Sequence, residues 1–98
     1  MRPEICLEKW GYGLNKAKWL ELVSSLSCVV CGARPVEIHH TESSRDSLSD
    51  YHVAALCHEC HQGPIGVHGL HRMGFERRTK LSQIDLVKRT IAAAIKEL

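Results

Sequence analysis

The sequence predicts a small α+β domain in which two short strands lie between an N-terminal and a C-terminal helix. The chain has 98 residues, the length of one domain, so residues 1–98 are treated as a single unit. Two Cys-x-x-Cys pairs, Cys28 with Cys31 and Cys57 with Cys60, flank two β-rich stretches, and apolar residues recur at helical spacing towards both ends. Because so small a core needs a further source of stability, the cysteine pairs are expected to supply it.

The N-terminal helix is predicted over about residues 15–26. Asn15 can cap its first turn, because an asparagine side chain accepts a hydrogen bond from the backbone N–H groups that are free there. The residues that fall on one face at helical spacing are Trp19, Leu22, Val23 and Leu26.

The two strands are predicted to form a hairpin between the cysteine pairs. Residues 34–38 are extended and lead into His39 and His40, and residues 52–56 form a second strand that runs into the second cysteine pair. The connection, residues 41–51, is polar.

The C-terminal third is predicted to hold one short and one long helix. Residues 62–69 are too rich in glycine and proline for a long uninterrupted helix, so a short helix is predicted over residues 75–78. A longer helix is predicted over residues 83–97, with Ser82 as its N-cap and Asp85 three residues on. Its apolar stripe comprises Ile84, Val87, Ile91, Ala94 or Ile95, and Leu98.

Four of the five cysteines are predicted to hold one structural zinc ion. Two Cys-x-x-Cys turns present four thiolates to one tetrahedral ion, and the absence of a signal-peptide pattern leads us to expect a reducing compartment. Disulfides or a redox pair are the alternatives. Residues 57–61 also fit the Cys-x-x-Cys-His pattern of c-type haem attachment, but haem would need export and would leave Cys28 and Cys31 unexplained. Cys6 is left over as a buried or free thiol.

The histidines indicate a second site. His39 and His40 are neighbours at a strand end, so their side chains face opposite ways. If His39 and His61 hold a divalent ion, the ion can neutralise charge on a phosphate while a neutral His40 takes a proton from the attacking water. The alternative is that His40 lies on the surface and His39 only packs within its strand.

This arrangement resembles the HNH endonucleases, whose ββα-metal motif commonly sits within a four-cysteine zinc frame. The resemblance covers about residues 28–70 and implies the HNH, or His-Me finger, variety of α+β fold. It makes His39 and His61 metal ligands and His40 the general base. His52 stands where the family usually has the asparagine that orients the base and ties the loop.

Residues 63–70 and 75–78 are similar to the phage RecA-dependent nucleases of the Ref type, a subgroup of the HNH enzymes. That similarity makes His68 a third metal ligand or a phosphate contact, and it implies a RecA filament or another phage or host protein as partner. Many relatives have aspartate where His39 stands. Imidazole ligands suit manganese, nickel or zinc better than magnesium, and the identity of the catalytic ion stays open among these four.

The positive charge is concentrated towards the C-terminus. Residues 62–98 carry seven basic against three acidic side chains, although the whole chain has a net charge of only +2. Such an excess is either a solvated helix face or a surface for nucleic acid. The side chains expected to hold the DNA backbone through its phosphates are Arg72, Arg77, Arg78 and Lys80. No apolar run is long enough for a membrane span, so a cytoplasmic protein, in a bacterial host if phage-encoded, is expected.

Three functions follow as hypotheses. The favoured one is a metal-dependent endonuclease that hydrolyses phosphodiester bonds in phage or bacterial DNA recombination, repair or processing. A non-catalytic zinc-stabilised module that binds DNA or protein explains the cysteines and the basic residues, but not the spacing of His39, His40 and His61. A purely structural zinc protein explains neither the histidines nor the charge distribution.

Overall fold

The computed structural model describes residues 15–41 and 51–97 and shows a small α+β fold with a two-stranded sheet. The elements in chain order are helix α1 (Lys16–Ser24), strands β1 (Val36–His40) and β2 (Val53–Cys57), and helices α2 (His58–His61), α3 (Val67–Thr79) and α4 (Gln83–Glu97). Cys6 and residues 42–50 of the predicted connection lie outside the described residues. No helix in the two described ranges is long and apolar enough to cross a bilayer.

Helix α1 begins after Asn15, whose Oδ1 accepts a hydrogen bond from the backbone N–H of Lys18 at 3.0 Å. It ends at Ser24, two residues before the predicted end. The Ser24 hydroxyl donates to a carbonyl of the last turn, which offers the backbone an alternative to continued helix. Trp19 packs inward and its Nε1–H donates to the carbonyl of Tyr51 at 3.2 Å, which ties α1 to the chain just before β2.

The sheet is an antiparallel hairpin in which Val36 lies opposite Cys57 and His40 lies opposite Val53. All five residues of β2 are buried, so both faces of this strand must be covered. Its alternate side chains enter two different clusters, because successive residues of a strand point to opposite faces. One cluster includes Ala54, Leu56, Val67, Phe75 and Leu86, and the other includes Trp19, Val23, Val53, Ala55 and Ala94. Strand β2 is therefore the centre of the core.

Helix α3 is longer than the sequence predicts. The prediction of a short helix over residues 75–78 is therefore wrong in its extent. The helix runs from Val67 to Thr79 but is broken at His71, which has φ 64° and ψ 169°. Glycine in its first turn permits close packing. A Cβ at Gly69 would collide with the carbonyl oxygens of Gly63 and Pro64, so the start of α3 can lie against that loop only with glycine there.

Helix α4 occupies the predicted range, Gln83–Glu97, and begins with reciprocal hydrogen bonds between Ser82 and Asp85. The Ser82 backbone N–H donates to Asp85 Oδ2 at 2.9 Å, and the Asp85 N–H donates to Ser82 Oγ at 3.1 Å. This is a capping box, which fixes the first turn.

The buried face of α4 matches the predicted stripe at Val87 and Ala94 but not at its isoleucines, and Leu98 of that stripe lies outside the described residues. The buried residues are Leu86, Val87, Thr90 and Ala94, whereas Ile84, Ile91 and Ile95 are exposed. Thr90 selects this face because its hydroxyl accepts a hydrogen bond from the Ala55 N–H of β2 at 3.2 Å and donates to the Leu86 carbonyl at 2.8 Å. A leucine or isoleucine there would leave that strand amide unpaired.

Candidate metal centres

The four cysteines predicted to act together lie close enough to hold one metal ion. Cys28 and Cys31 come from the turn before β1, Cys57 ends β2, and Cys60 lies in α2. Cys31 Sγ is 3.5 Å from Cys57 Sγ and 3.8 Å from Cys60 Sγ. Sulfurs about 3.8 Å apart are expected around tetrahedral zinc with bonds of about 2.3 Å. The thiol cluster therefore fits a structural metal such as zinc.

The backbone of the first cysteine turn is built to converge its two thiols. The Gly32 N–H donates to the Cys28 carbonyl at 2.8 Å, and the Cys28 N–H donates to the Ala33 carbonyl at 2.9 Å. Gly32 has φ 82°, a left-handed conformation that glycine adopts without strain. The reversal brings Cys31 back towards the end of β2.

The thiols of this cluster differ in acidity. Burial raises the pKa of Cys28, but hydrogen bonds from the backbone N–H groups of Cys57, Cys31 and Val30 outweigh it and bring the pKa down to about 7. Burial and the nearby Cys28 thiolate raise the pKa of Cys60 well above its ordinary value. A bound cation would let the thiols of Cys28 and Cys60 ionise together, because it stabilises neighbouring thiolates at the same time.

Three histidines form a second cluster that could hold a metal ion. His39 lies on β1, His61 ends α2, and His68 lies in the first turn of α3, with one ring nitrogen from each within 4.8 Å of the others. His61 Nε2 and His68 Nε2 are 3.1 Å apart. Two imidazole nitrogens bound to one ion at about 2.1 Å are separated by a similar distance. The sequence-predicted histidines 39, 61 and 68 thus lie together.

Glu37 orients His61 within this histidine cluster. Its Oε1 accepts a hydrogen bond from His61 Nδ1 at 2.8 Å, and its Oε2 is 3.0 Å from His58 Nδ1. Hydrogen bonds from His58, His61 and Gln62 lower the pKa of Glu37 to about 2, so the carboxylate is charged at neutral pH. With a proton on Nδ1, His61 presents the lone pair of Nε2 towards His68.

His39 is the buried member of the cluster. Only 2% of its surface is exposed, and its Nε2 lies 2.7 Å from Oε1 of Gln83 in α4. Burial lowers the pKa of His39 to about 4, a shift that the hydrogen bond with Gln83 opposes. The ring is therefore neutral at physiological pH, which is the form that binds metal.

His40 and Arg72 lie beside the histidine cluster on the wall of one open cavity of about 440 Å³. The residues that line it are His39, His40, Val67, His68, His71, Arg72 and Met73. His40 is exposed, as expected for the neighbour of a buried strand residue. Arg72 Nη2 donates to the Thr41 carbonyl at 2.7 Å, which ties α3 to the end of β1.

The other predicted site residues lie further from the histidine cluster. His52 is exposed just before β2, and its carbonyl, rather than its ring, accepts hydrogen bonds from the Thr41 N–H at 3.2 Å and hydroxyl at 2.7 Å. Arg77 and Lys80 line a separate surface cavity with Met73 and Glu76. The Arg78 guanidinium lies 5.8 Å from the centre of the Phe75 ring. Only Arg72 of the four basic residues lines the cavity beside the histidines.

Sequence reasoning did not single out Glu37 or Gln83 as site residues. Glu37 stands two residues before His39, so both side chains belong to the same face of β1. This strand alternation is a signal in the sequence that could have placed Glu37 near the histidine site. Gln83 is 44 residues from His39 and lies in a helix outside the motif, so no local pattern could have indicated it.

Comparisons with known proteins return no match, whether among family models, curated proteins or solved structures.

Proposed function

We propose that this chain is a metal-dependent DNA endonuclease of the HNH type, with a structural zinc ion at the thiol cluster and a catalytic divalent ion at the histidine cluster. The observation that carries the proposal is the convergence of His39, His61 and His68, two of which line a cavity together with His40 and Arg72. A metal site that is only structural has no need of a further histidine and an arginine at an open cavity.

The donor sets fit these two roles. Four thiolates close the coordination of a structural ion, whereas three imidazoles leave a position for substrate or water. A divalent ion held by the imidazoles supplies Lewis acidity, which stabilises negative charge on the phosphate and on the leaving oxygen. Three nitrogen ligands favour manganese, nickel or zinc over magnesium.

His40 is the proposed general base. It follows His39 directly in β1 but points to the opposite face, so it is held at a fixed distance from the ion without being one of the three clustered ligands. An imidazole is suited to take a proton from the attacking water near neutral pH. The resemblance to HNH enzymes supports the same role, and His52 is proposed to orient His40 and to tie the connection that follows it.

Arg72 is the proposed contact for the scissile phosphate. Its hydrogen bond to the Thr41 carbonyl fixes the guanidinium beside the cavity, and its remaining N–H groups can donate to phosphate oxygens. Arg77, Arg78 and Lys80 continue from it along α3 and its C-terminal end. These three are proposed to hold the flanking DNA backbone, which places the strand without reading its sequence.

The test is DNA cleavage by the purified chain and by His40→Ala. Supercoiled and single-stranded DNA are incubated separately with magnesium, manganese, nickel or zinc. We expect metal-dependent cleavage by the wild type and a loss of at least about a hundredfold in His40→Ala. Added imidazole should restore part of the lost rate, because it can replace the missing base in the cavity.

A metal-binding control separates loss of the base from loss of the ion. His40→Ala should bind the second metal ion as tightly as the wild type does, whereas His61→Ala should lose both the ion and cleavage. Equal cleavage by the wild type and His40→Ala would contradict the proposed base. Salt-dependent DNA binding without cleavage under any condition would instead favour the non-catalytic binding module.

A RecA filament is proposed as the partner that directs cutting, on the similarity to Ref-type nucleases. Single-stranded DNA coated with RecA is compared with the same DNA uncoated. We expect faster cleavage on the filament. Equal rates on both substrates would remove this narrower proposal and leave the nuclease proposal in place.

A further inference from the structure

We propose that Gln83 is a positioning residue of the histidine cluster: it holds His39 in the tautomer that offers Nδ1 to the metal ion, whereas His61 offers Nε2. The proposal rests on the metal ion proposed above at His39, His61 and His68. It makes helix α4 part of the metal centre, although this helix lies outside the stretch that resembles HNH enzymes.

The contact between His39 and Gln83 determines the tautomer. His39 Nε2 and Gln83 Oε1 are 2.7 Å apart, a short hydrogen-bond distance. The amide oxygen carries no proton, so Nε2 must donate its own. A neutral imidazole has one N–H and one lone pair, and the lone pair of His39 is therefore on Nδ1.

His61 has the opposite arrangement. Its Nδ1 donates to the Glu37 carboxylate at 2.8 Å, and its Nε2 faces His68 Nε2 at 3.1 Å. The two ligands thus use different nitrogens because their outer hydrogen-bond acceptors contact different ring positions. Acceptors of this kind set the tautomer and the ring orientation of metal-binding histidines.

The fold holds Gln83 at a fixed place. It is the first residue of α4, directly after Ser82, and the capping box with Asp85 orders this turn. Leu86 and Thr90, both 0% exposed, fix the same helix against the core. Because His39 is only 2% exposed, bulk water has little access to replace a lost amide oxygen.

The first measurement is the tautomer of each histidine in the chain labelled with ¹⁵N at its imidazoles. The protein is loaded with one equivalent of zinc, which the four thiolates bind before the imidazoles do. Long-range ¹H–¹⁵N spectra should show His39 protonated at Nε2 and His61 protonated at Nδ1. The His39 signals are identified by their absence in His39→Gln.

The second measurement identifies the ligating nitrogens and the contribution of Gln83 to affinity. With ¹¹³Cd as the second ion, coupling should appear to His39 Nδ1 and to His61 Nε2. Gln83→Met, which keeps the length of the side chain but removes the acceptor, should weaken binding of the second ion by about ten- to a hundredfold. Gln83→Glu restores an acceptor oxygen and should restore the affinity.

The control variant is Ile84→Ala, in the next residue of α4, which is 66% exposed. It should change neither the spectra nor the affinity, and circular dichroism should show all variants folded. Cadmium coupling through His39 Nε2 would overturn the proposal. The same coupling is expected if Gln83 is itself a metal ligand, because its Oε1 lies beside Nε2 of His39. Unchanged affinity in Gln83→Met would overturn the proposal as well.

These outcomes are separable from failure of the nuclease proposal. The expected tautomers and cadmium couplings without any DNA cleavage would remove the nuclease and leave Gln83 as a positioning residue. DNA cleavage by the wild type, with unchanged metal affinity and cleavage rate in Gln83→Met, would support the nuclease proposal and overturn the role of Gln83.

Discussion

Glu37 illustrates how a single charged side chain organises one side of the histidine cluster. It lies on β1, yet its carboxylate bonds three side chains of the next helical segment, His58, His61 and Gln62. These hydrogen bonds lower its pKa to about 2, so the carboxylate accepts bonds throughout the neutral range. The hydrogen bond to Glu37, together with its charge, raises the pKa of His58, which is exposed. The residue thereby connects the strand to α2 and fixes the His61 ring.

Glu37→Gln is expected to weaken binding of the second metal ion by about ten- to a hundredfold. The amide is nearly the same size but carries no charge, so it lowers the basicity of His61 and accepts more weakly. Titration calorimetry with zinc, on protein whose thiol cluster is already filled, measures the affinity. Glu76→Gln removes an exposed carboxylate from α3 and serves as the control. If both variants bind as the wild type does, Glu37 does not act through His61.

The burial of His39 predicts a dependence of stability on pH. Its pKa is about 4 in the folded chain against 6.5 for an unperturbed histidine, because burial disfavours the charged ring. Between these values the unfolded chain binds a proton that the folded chain does not. The stabilising contribution is therefore complete above about pH 6.5 and is lost as the pH falls towards 4. A shift of this size corresponds to at most about 3 kcal/mol.

Urea unfolding of the wild type and of His39→Gln, from pH 7.5 to pH 4, tests this dependence. Both proteins carry zinc at the thiol cluster only, so acid release of that zinc affects them alike. The free energy of unfolding of the wild type should fall more steeply with decreasing pH. Parallel pH profiles would mean that His39 accepts a proton as readily in the folded chain as in the unfolded one.

Helix α3 has an internal break at His71. His71 has φ 64° and ψ 169°, a conformation that costs a non-glycine residue about 1 to 3 kcal/mol. It lies on the wall of the cavity that His40 and Arg72 share. The break separates the turn that carries His68 from the part of α3 that Phe75 anchors in the core. The first part can therefore place His68 in the histidine cluster while the second part packs Phe75 into the core.

His71→Gly is expected to be more stable than His71→Ala by about 1 kcal/mol or more. Both variants remove the imidazole, but only glycine adopts this backbone conformation without strain. Glycine also loses more conformational entropy on folding, which offsets part of the gain. Urea unfolding of the two variants gives the difference directly. An alanine variant as stable as the glycine variant would show that His71 is not strained.

The sequence predicts the existence of these elements better than the faces they present. The range of α4 follows from Ser82, Asp85 and the apolar spacing, which are local signals. Its buried face does not, because two apolar stripes overlap along the helix. Which stripe is buried depends on two long-range hydrogen bonds, one between Thr90 and the Ala55 amide and one between Gln83 and His39.

The sequence predicts too short a helix α3 for a related reason. Glycines at 66 and 69 read as helix breakers in the sequence, yet in the fold they permit close approach of backbone to backbone. The histidine grouping was easier to predict, because two strands and the helical turn that follows bring His39 and His61 together over a short stretch of chain.

On the scale of the whole molecule, the two candidate centres tie together different parts of the chain. The thiol cluster joins the turn before β1 to the end of β2 and to α2, and three of its four cysteines are buried. The histidine cluster joins β1, α2 and the start of α3. Helix α3 has further anchors in Val67, Phe75 and the bond from Arg72 to Thr41. Loss of metal should therefore affect the fold very differently at the two centres.

A graded titration with a metal chelator is expected to show two separate steps. Three imidazoles bind zinc more weakly than four thiolates do, so the ion at the histidine cluster leaves first and DNA cleavage stops while the helical circular dichroism signal is retained. Removal of the second ion leaves four clustered thiols without a bridge in a chain with a small core, and the protein then unfolds. Released zinc, cleavage and circular dichroism are followed in the same samples, and zinc added back should restore the helical signal first. Simultaneous loss of cleavage and helical signal would mean that the histidine cluster also holds the fold together.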